Sequence, residues 1–81
     1  MFIKFGGSLY NTGCLSCIRV KFSDVQLMVP SSKAPLCTLH YSSSELAAYA
    51  YGRIIHGFLG KWGCVDASED VIAKLLEDKE D

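Results

Sequence analysis

Four side chains in the first half of the chain carry the most specific chemistry in its sequence. Cys14 and Cys17 stand two residues apart, as do Cys37 and His40, giving the pattern C-x2-C…C-x2-H. Three thiolates and an imidazole are a ligand set that zinc accepts in a tetrahedral site, and a short hook can aim both ligands of a pair at one point. A metal held there would staple a small domain together, because binding energy at such a site is folding energy.

The 19 residues from Ile18 to Leu36 separate the two hooks, and in this respect the segment, about a third of the chain, resembles a zinc ribbon. The hook interiors point the other way. Leu15-Ser16 and Thr38-Leu39 contain no strong turn former, and the residues after them continue as strand. In an extended strand, positions i and i+3 face opposite sides of a sheet, so each pair would diverge. The expectation is therefore no metal: Cys14, Cys17 and Cys37 serve as small apolar residues and His40 as an ordinary strand residue. Zinc on Cys14, Cys17, Cys37 and His40 is the alternative. A redox pair is not expected, because Cys14 opens a strand and not a helix whose dipole would acidify a thiol.

The elements that must position these residues follow from periodicity. Phe2 to Phe5 is an apolar run closed by Gly6-Gly7, a hairpin or bulge signal. Ser8-Leu9-Tyr10 follows, and Asn11-Thr12-Gly13 turns the chain again. Cys14 to Phe22 alternates, with Ile18, Val20 and Phe22 on one face and Cys17, Arg19 and Lys21 on the other. After a turn at Ser23-Asp24, Val25, Leu27 and Val29 alternate until Pro30 removes a donor. Ser31 to Pro35 reads as a loop, and Leu36 to Tyr41 as one more strand.

From there the period becomes helical. Ser42 and Glu45 fit a capping box that opens a helix over about 43–61, with Ala47, Tyr51, Ile54, Ile55 and Phe58 as its apolar stripe and Gly60 and Gly63 bracketing its end. Asp66 and Glu69 fit a second capping box before a short helix over about 67–77, with Val71, Ile72, Leu75 and Leu76 inward. The predicted fold is α+β: an antiparallel meander of four or five strands over about 2–41, packed on one long helix, with a short C-terminal helix. The 81 residues are expected to form one domain.

The long helix has a second face. Ala48, Gly52 and His56 share one ridge, with Tyr49 and Arg53 beside it. A glycine inside a helix costs about 1 kcal/mol relative to alanine. The face is too mixed for core and too glycine-rich for an ordinary solvated surface. Gly52 there would let a neighbouring backbone come close, either the C-terminal helix or a partner. Tyr and Arg are enriched where proteins bind one another, so Tyr49, Arg53 and His56 are the candidate partner-binding residues.

Bulk properties narrow the function classes. A domain of this size buries only roughly 60–65% of its unfolded surface, and 49% of the residues are hydrophobic. Some apolar surface should stay exposed, which favours a protein partner or a second copy of the chain. A formal net charge of −1 gives no general attraction to nucleic acid or anionic lipid. No run approaches the length of a transmembrane helix. No secretion signal is evident, so the four cysteines point to an intracellular, reducing compartment such as the cytoplasm.

Arg19 and Lys21, with Lys4 as a third member, could make an open sheet face for single-stranded nucleic acid, the second alternative. No nucleophile elbow, phosphate loop or dinucleotide fingerprint occurs, and Glu45, Asp66 and Glu69 are accounted for by helix capping. The expected function is a small non-enzymatic interaction protein: a regulator, an inhibitor or a subunit of a larger assembly, of the kind that phages and other mobile elements encode.

Overall fold

The computed structural model describes residues 1–15, 17–30 and 35–80, with side chains described at all of these except Cys14, Leu36, Lys79 and Glu80. Among the described residues, six strands and two α-helices follow in the order β1 (Phe2–Phe5), β2 (Ser8–Asn11), β3 (Cys17–Lys21), β4 (Asp24–Met28), β5 (Pro35–His40), α1 (Ser44–Leu59), β6 (Cys64–Asp66) and α2 (Glu69–Glu80). The class is α+β, as the periodicity implies. The architecture is not a single meander: the strands form two three-stranded sheets, ordered β2-β1-β6 and β3-β4-β5. The loop expected over Ser31 to Pro35 lies outside the described residues except for Pro35.

The break between the sheets has a local cause. The β1–β2 hairpin forms across Gly6-Gly7, with Phe5 opposite Ser8 and Gly6 in the left-handed region at φ 59°. At the end of β2, Asn11 caps a 3-10 turn over Thr12–Cys14 by accepting a hydrogen bond from Gly13 N–H at 2.8 Å. Thr12 donates twice to the carbonyl of Met1, from its backbone N–H at 3.0 Å and its hydroxyl at 2.7 Å. The strand expected to begin at Cys14 therefore begins at Cys17, and β3 does not pair with the first hairpin.

The free edge of β1 is instead taken by β6, which runs parallel to it with Ile3 opposite Val65. Phe2 N–H to the Gly63 carbonyl (2.9 Å) and Ala67 N–H to the Lys4 carbonyl (2.7 Å) extend this pairing at both ends. Asp66, expected as a helix cap, belongs to this strand, and its Oδ1 accepts from Ser68 N–H at 3.0 Å. The second helix consequently starts at Glu69.

The second sheet is the expected antiparallel meander. Lys21 stands opposite Asp24, so the turn falls on Phe22-Ser23 and Phe22 leaves the strand. Phe22 adopts φ 55° and is 82% exposed, where apolar-face alternation placed it inward. Leu9 and Leu59 are also exposed, so apolar surface does remain outside.

Helix α1 starts one residue later than expected. Ser43, not Ser42, is the N-cap and accepts from Leu46 N–H at 3.2 Å. Ser42 gives its N–H to the Glu69 carboxylate, which ties the starts of the two helices together. The buried stripe of α1 is Ala47, Ala50, Ile54 and Gly57. Tyr51 and Ile55 are only half-buried and Phe58 is 40% exposed, a rotation from the expected stripe. Small residues win the inward positions because α1 packs on β3, β4, β6 and α2 together.

The core joins Ile3 and Val65 from the first sheet, Val25, Leu27 and Leu39 from the second, the α1 stripe, and Ile72 of α2. Each large aliphatic side chain buried there stabilises the fold by roughly 1.5–3 kcal/mol. Tyr41 locks the junction: its ring meets Phe5 edge-on at 5.5 Å and its hydroxyl donates to the Ala67 carbonyl at 2.6 Å. Burial, reinforced by the negative charges of Glu69 and Asp66, raises the pKa of this phenol.

Candidate partner-binding site

The cysteine and histidine pattern is placed by strand register. Cys37 pairs with Leu27, and His40 pairs with Asp24. Leu27 belongs to the buried face of the sheet, and His40, three residues from Cys37 along β5, faces the other way. Cys17 pairs with Met28, four residues along β4 from Asp24 and so about 13 Å from the His40 row. Cys14 ends the 3-10 turn, and its side chain lies outside the described residues.

The structure therefore does not bring Cys17, Cys37 and His40 together. Among the described residues, no three His, Cys, Asp or Glu side chains gather as a metal site. These groups have other company. His40 Nδ1 lies 2.8 Å from Asp24 Oδ1. The Cys37 thiol lies beside Tyr10, and its hydrogen bonding with the phenol raises the pKa of Tyr10.

The basic residues are also dispersed. Arg19 and Lys21 share the outer face of the second sheet, but Arg19 Nε is spent on Gln26 Oε1 at 2.6 Å and Lys21 stands opposite Asp24. Lys4 does not join them. It sits in the other sheet with its amine 4.0 Å from Asp66 Oδ2. Among the described residues no continuous positive stripe results.

The outer face of α1 is different. Helical spacing places Ala48, Tyr49, Gly52, Arg53 and His56 along one side, and these residues line a groove of about 440 Å³. Its floor is Gly52, where an added Cβ would meet nothing within 4 Å. No other part of the described chain approaches Gly52 closely; the tight glycine is Gly57, where a Cβ would lie 2.5 Å from the Val65 side chain at Cγ2 and 3.0 Å from Met1 Sδ.

At the end of the groove the helix stops in a Schellman motif. Lys61 N–H donates to the Phe58 carbonyl at 3.2 Å and Trp62 N–H to the Gly57 carbonyl at 2.9 Å. These are the two bonds that define the motif, and its left-handed position falls on Lys61 at φ 57°. Gly60, at φ −84° and ψ −2°, is still right-handed. The reversal folds Trp62 back over the helix, where its ring rests beside Gly57 and Gly60.

Trp62 completes the site. The Arg53 guanidinium carbon lies 5.0 Å from the centre of its ring, and His56 meets the ring edge-on at 6.5 Å. Such a cation–π contact contributes about 0.5–1 kcal/mol when exposed and more when desolvated. Arg53 Nε is buried and has no hydrogen-bond partner among the described residues. An unmade bond at a buried donor costs about 1–3 kcal/mol, so this nitrogen marks a place where the fold alone leaves a demand unmet.

The structure thus brings Tyr49, Arg53 and His56 together on one groove and adds Trp62, which helical periodicity did not include. The available signal was a lone tryptophan two residues beyond a helix-ending glycine, a position that a Schellman turn returns to the helix. A second hollow, of about 240 Å³, is lined by Leu15, Cys17, Ile18, Ile55 and Phe58 between β3 and α1, and is mostly apolar.

Compared with known protein families, curated proteins and solved structures, the chain has no match. No helix among the described residues is long and apolar enough to cross a membrane.

Proposed function

We propose that this chain is a non-enzymatic interaction protein, acting as a regulator, an inhibitor or a subunit of an assembly, and that it binds another protein or a second copy of itself through the outer face of α1. The observation that carries this reading is the buried, unpartnered Nε of Arg53, whose side chain lines a groove with Tyr49 and His56 and rests against the Trp62 ring. Aromatic and arginine side chains at the centre of a concave patch are the usual anchors of binding energy. The exposed ridge of Ala48 and Gly52 leaves room for a partner's backbone.

The test is a double replacement, Tyr49→Ala with Arg53→Ala. Native mass spectrometry and crosslinking would follow the association state of the chain and of any complex purified with it. Loss of association with the fold retained supports the reading. Unchanged association removes this face from consideration.

The nucleic-acid and zinc alternatives gain no comparable observation. Lys21 stands opposite Asp24 and Arg19 Nε is engaged by Gln26, and Cys37 and His40 diverge across β5.

A further inference from the structure

The groove on α1 also indicates the chemistry of its occupant. Two of its lining side chains, Arg53 and His56, are cations or become so on protonation, and no acidic side chain lines it among the described residues. The Trp62 ring lies against the Arg53 guanidinium, its centre 5.0 Å from the guanidinium carbon. The ring shields one side of the group, and hydrogen bonds are left to its N–H edges. One edge carries Nε, which no described residue of the chain engages.

A guanidinium edge offers two parallel N–H donors at the spacing of a carboxylate's oxygens. A phosphate backbone, by contrast, is held by a track of cations that neutralise successive charges. This groove supplies one permanent cation, Arg53, on a chain whose net charge is −1.

We infer that the groove receives an acidic segment of a partner protein. A glutamate or aspartate side chain would form a fork with Nε and a neighbouring Nη of Arg53, after a small rotation that brings the buried Nε to the groove. His56, about one turn further along α1, takes a second acceptor of the segment. This inference rests on the reading of α1 as an interaction face and adds the chemical class of what it binds.

The test is an NMR titration of the full chain with blocked hexaglutamate, and with blocked hexalysine and hexathymidylate as comparison probes. The reporters are the Trp62 indole N–H and the Arg53 Nε–H. Hexaglutamate is expected to move both resonances saturably, with binding weakened at least about fivefold between low and roughly 0.5 M salt. Arg53→Gln should weaken it at least about tenfold, and Arg53→Lys, which keeps the charge but loses the fork, should fail to restore it.

Unmoved reporters at millimolar hexaglutamate, equal binding by Arg53→Gln, or equal or tighter binding of hexathymidylate would each overturn the inference. If hexaglutamate fails while association is still lost in the Tyr49 and Arg53 double replacement, the interaction face stands and only its acidic partner is wrong. If both fail, both readings fall.

Discussion

The guanidinium of Arg53 lies on the face of Trp62, 5.0 Å from the ring centre, although eight residues and a helix terminus separate them. The contact exists because Lys61 reverses the chain in the left-handed region and returns Trp62 to the helix it has just left. A structural Arg and a binding Arg should respond differently to removal. Arg53→Ala loses an exposed-type cation–π contact of about 0.5–1 kcal/mol and at the same time removes a buried donor without a partner. The net change in unfolding free energy should stay within about 1 kcal/mol. Emission from Trp62, the chain's one tryptophan, should nevertheless shift. Chemical denaturation followed by fluorescence reads both at once.

The two glycines inside α1 should give opposite results. Gly52→Ala places its Cβ in open space and gains helix propensity, so it should stabilise the chain by up to about 1 kcal/mol. Gly57→Ala drives its Cβ to 2.5 Å from Val65 Cγ2, with Met1 and Trp62 also close. Overpacking of that kind costs about 1–3 kcal/mol. Thermal melts of the two variants should move in opposite directions, and a stabilised Gly57→Ala would contradict the packing of α1 on β6.

Lys61 holds a conformation that favours glycine. Its φ of 57° costs an L-residue about 1–2 kcal/mol. Lys61→Gly should therefore raise the midpoint of unfolding, with a stabilisation of about 1 kcal/mol after glycine's larger unfolded-state entropy is subtracted.

Tyr41 is the bolt between β5 and the chain entering α2. Tyr41→Phe keeps the ring contact with Phe5 but leaves the Ala67 carbonyl without its 2.6 Å donor. A loss of about 1–3 kcal/mol in urea unfolding is expected, the cost of an unsatisfied buried polar group.

Acid should act through Asp66. Burial works to raise its pKa, but hydrogen bonds from Ser68 and the charge of Lys4 outweigh this and hold it below the ordinary value of 3.8. The folded state thus favours the ionised carboxylate. That contribution is fully present well above pH 3.8 and is lost as pH falls through the lowered folded value. Asp66→Asn should flatten this part of the stability–pH curve below pH 3.8 and leave the curve near neutrality parallel to that of the parent chain.

Much of this was legible in the residues. The β1–β2 hairpin, the β3–β5 meander and both helices follow from apolar periodicity and turn chemistry. The groove residues follow from one question: why tyrosine, glycine, arginine and histidine should share a helix face. What escaped is set by contacts distant in sequence. Strand β6 has three residues, too few to show alternation, and its Asp66 resembles a helix cap in every local respect. The stripe on α1 turned towards Ala50 and Gly57 because three layers crowd that side, and no hydrophobicity pattern registers crowding. Trp62 escaped because the residue that redirects it, Lys61, is not a type that signals a left-handed turn.

The parallel pairing of β1 with β6 also governs the order in which the chain can fold. Ile3 finds its strand neighbour Val65 only after more than sixty residues have been made. The first hairpin must therefore wait with one edge open during synthesis, while the β3–β5 meander can close from local contacts alone. Separations of this kind slow the folding of small domains. The meander should become protected from hydrogen exchange early in refolding, and the strand that is made first should be among the last to be secured.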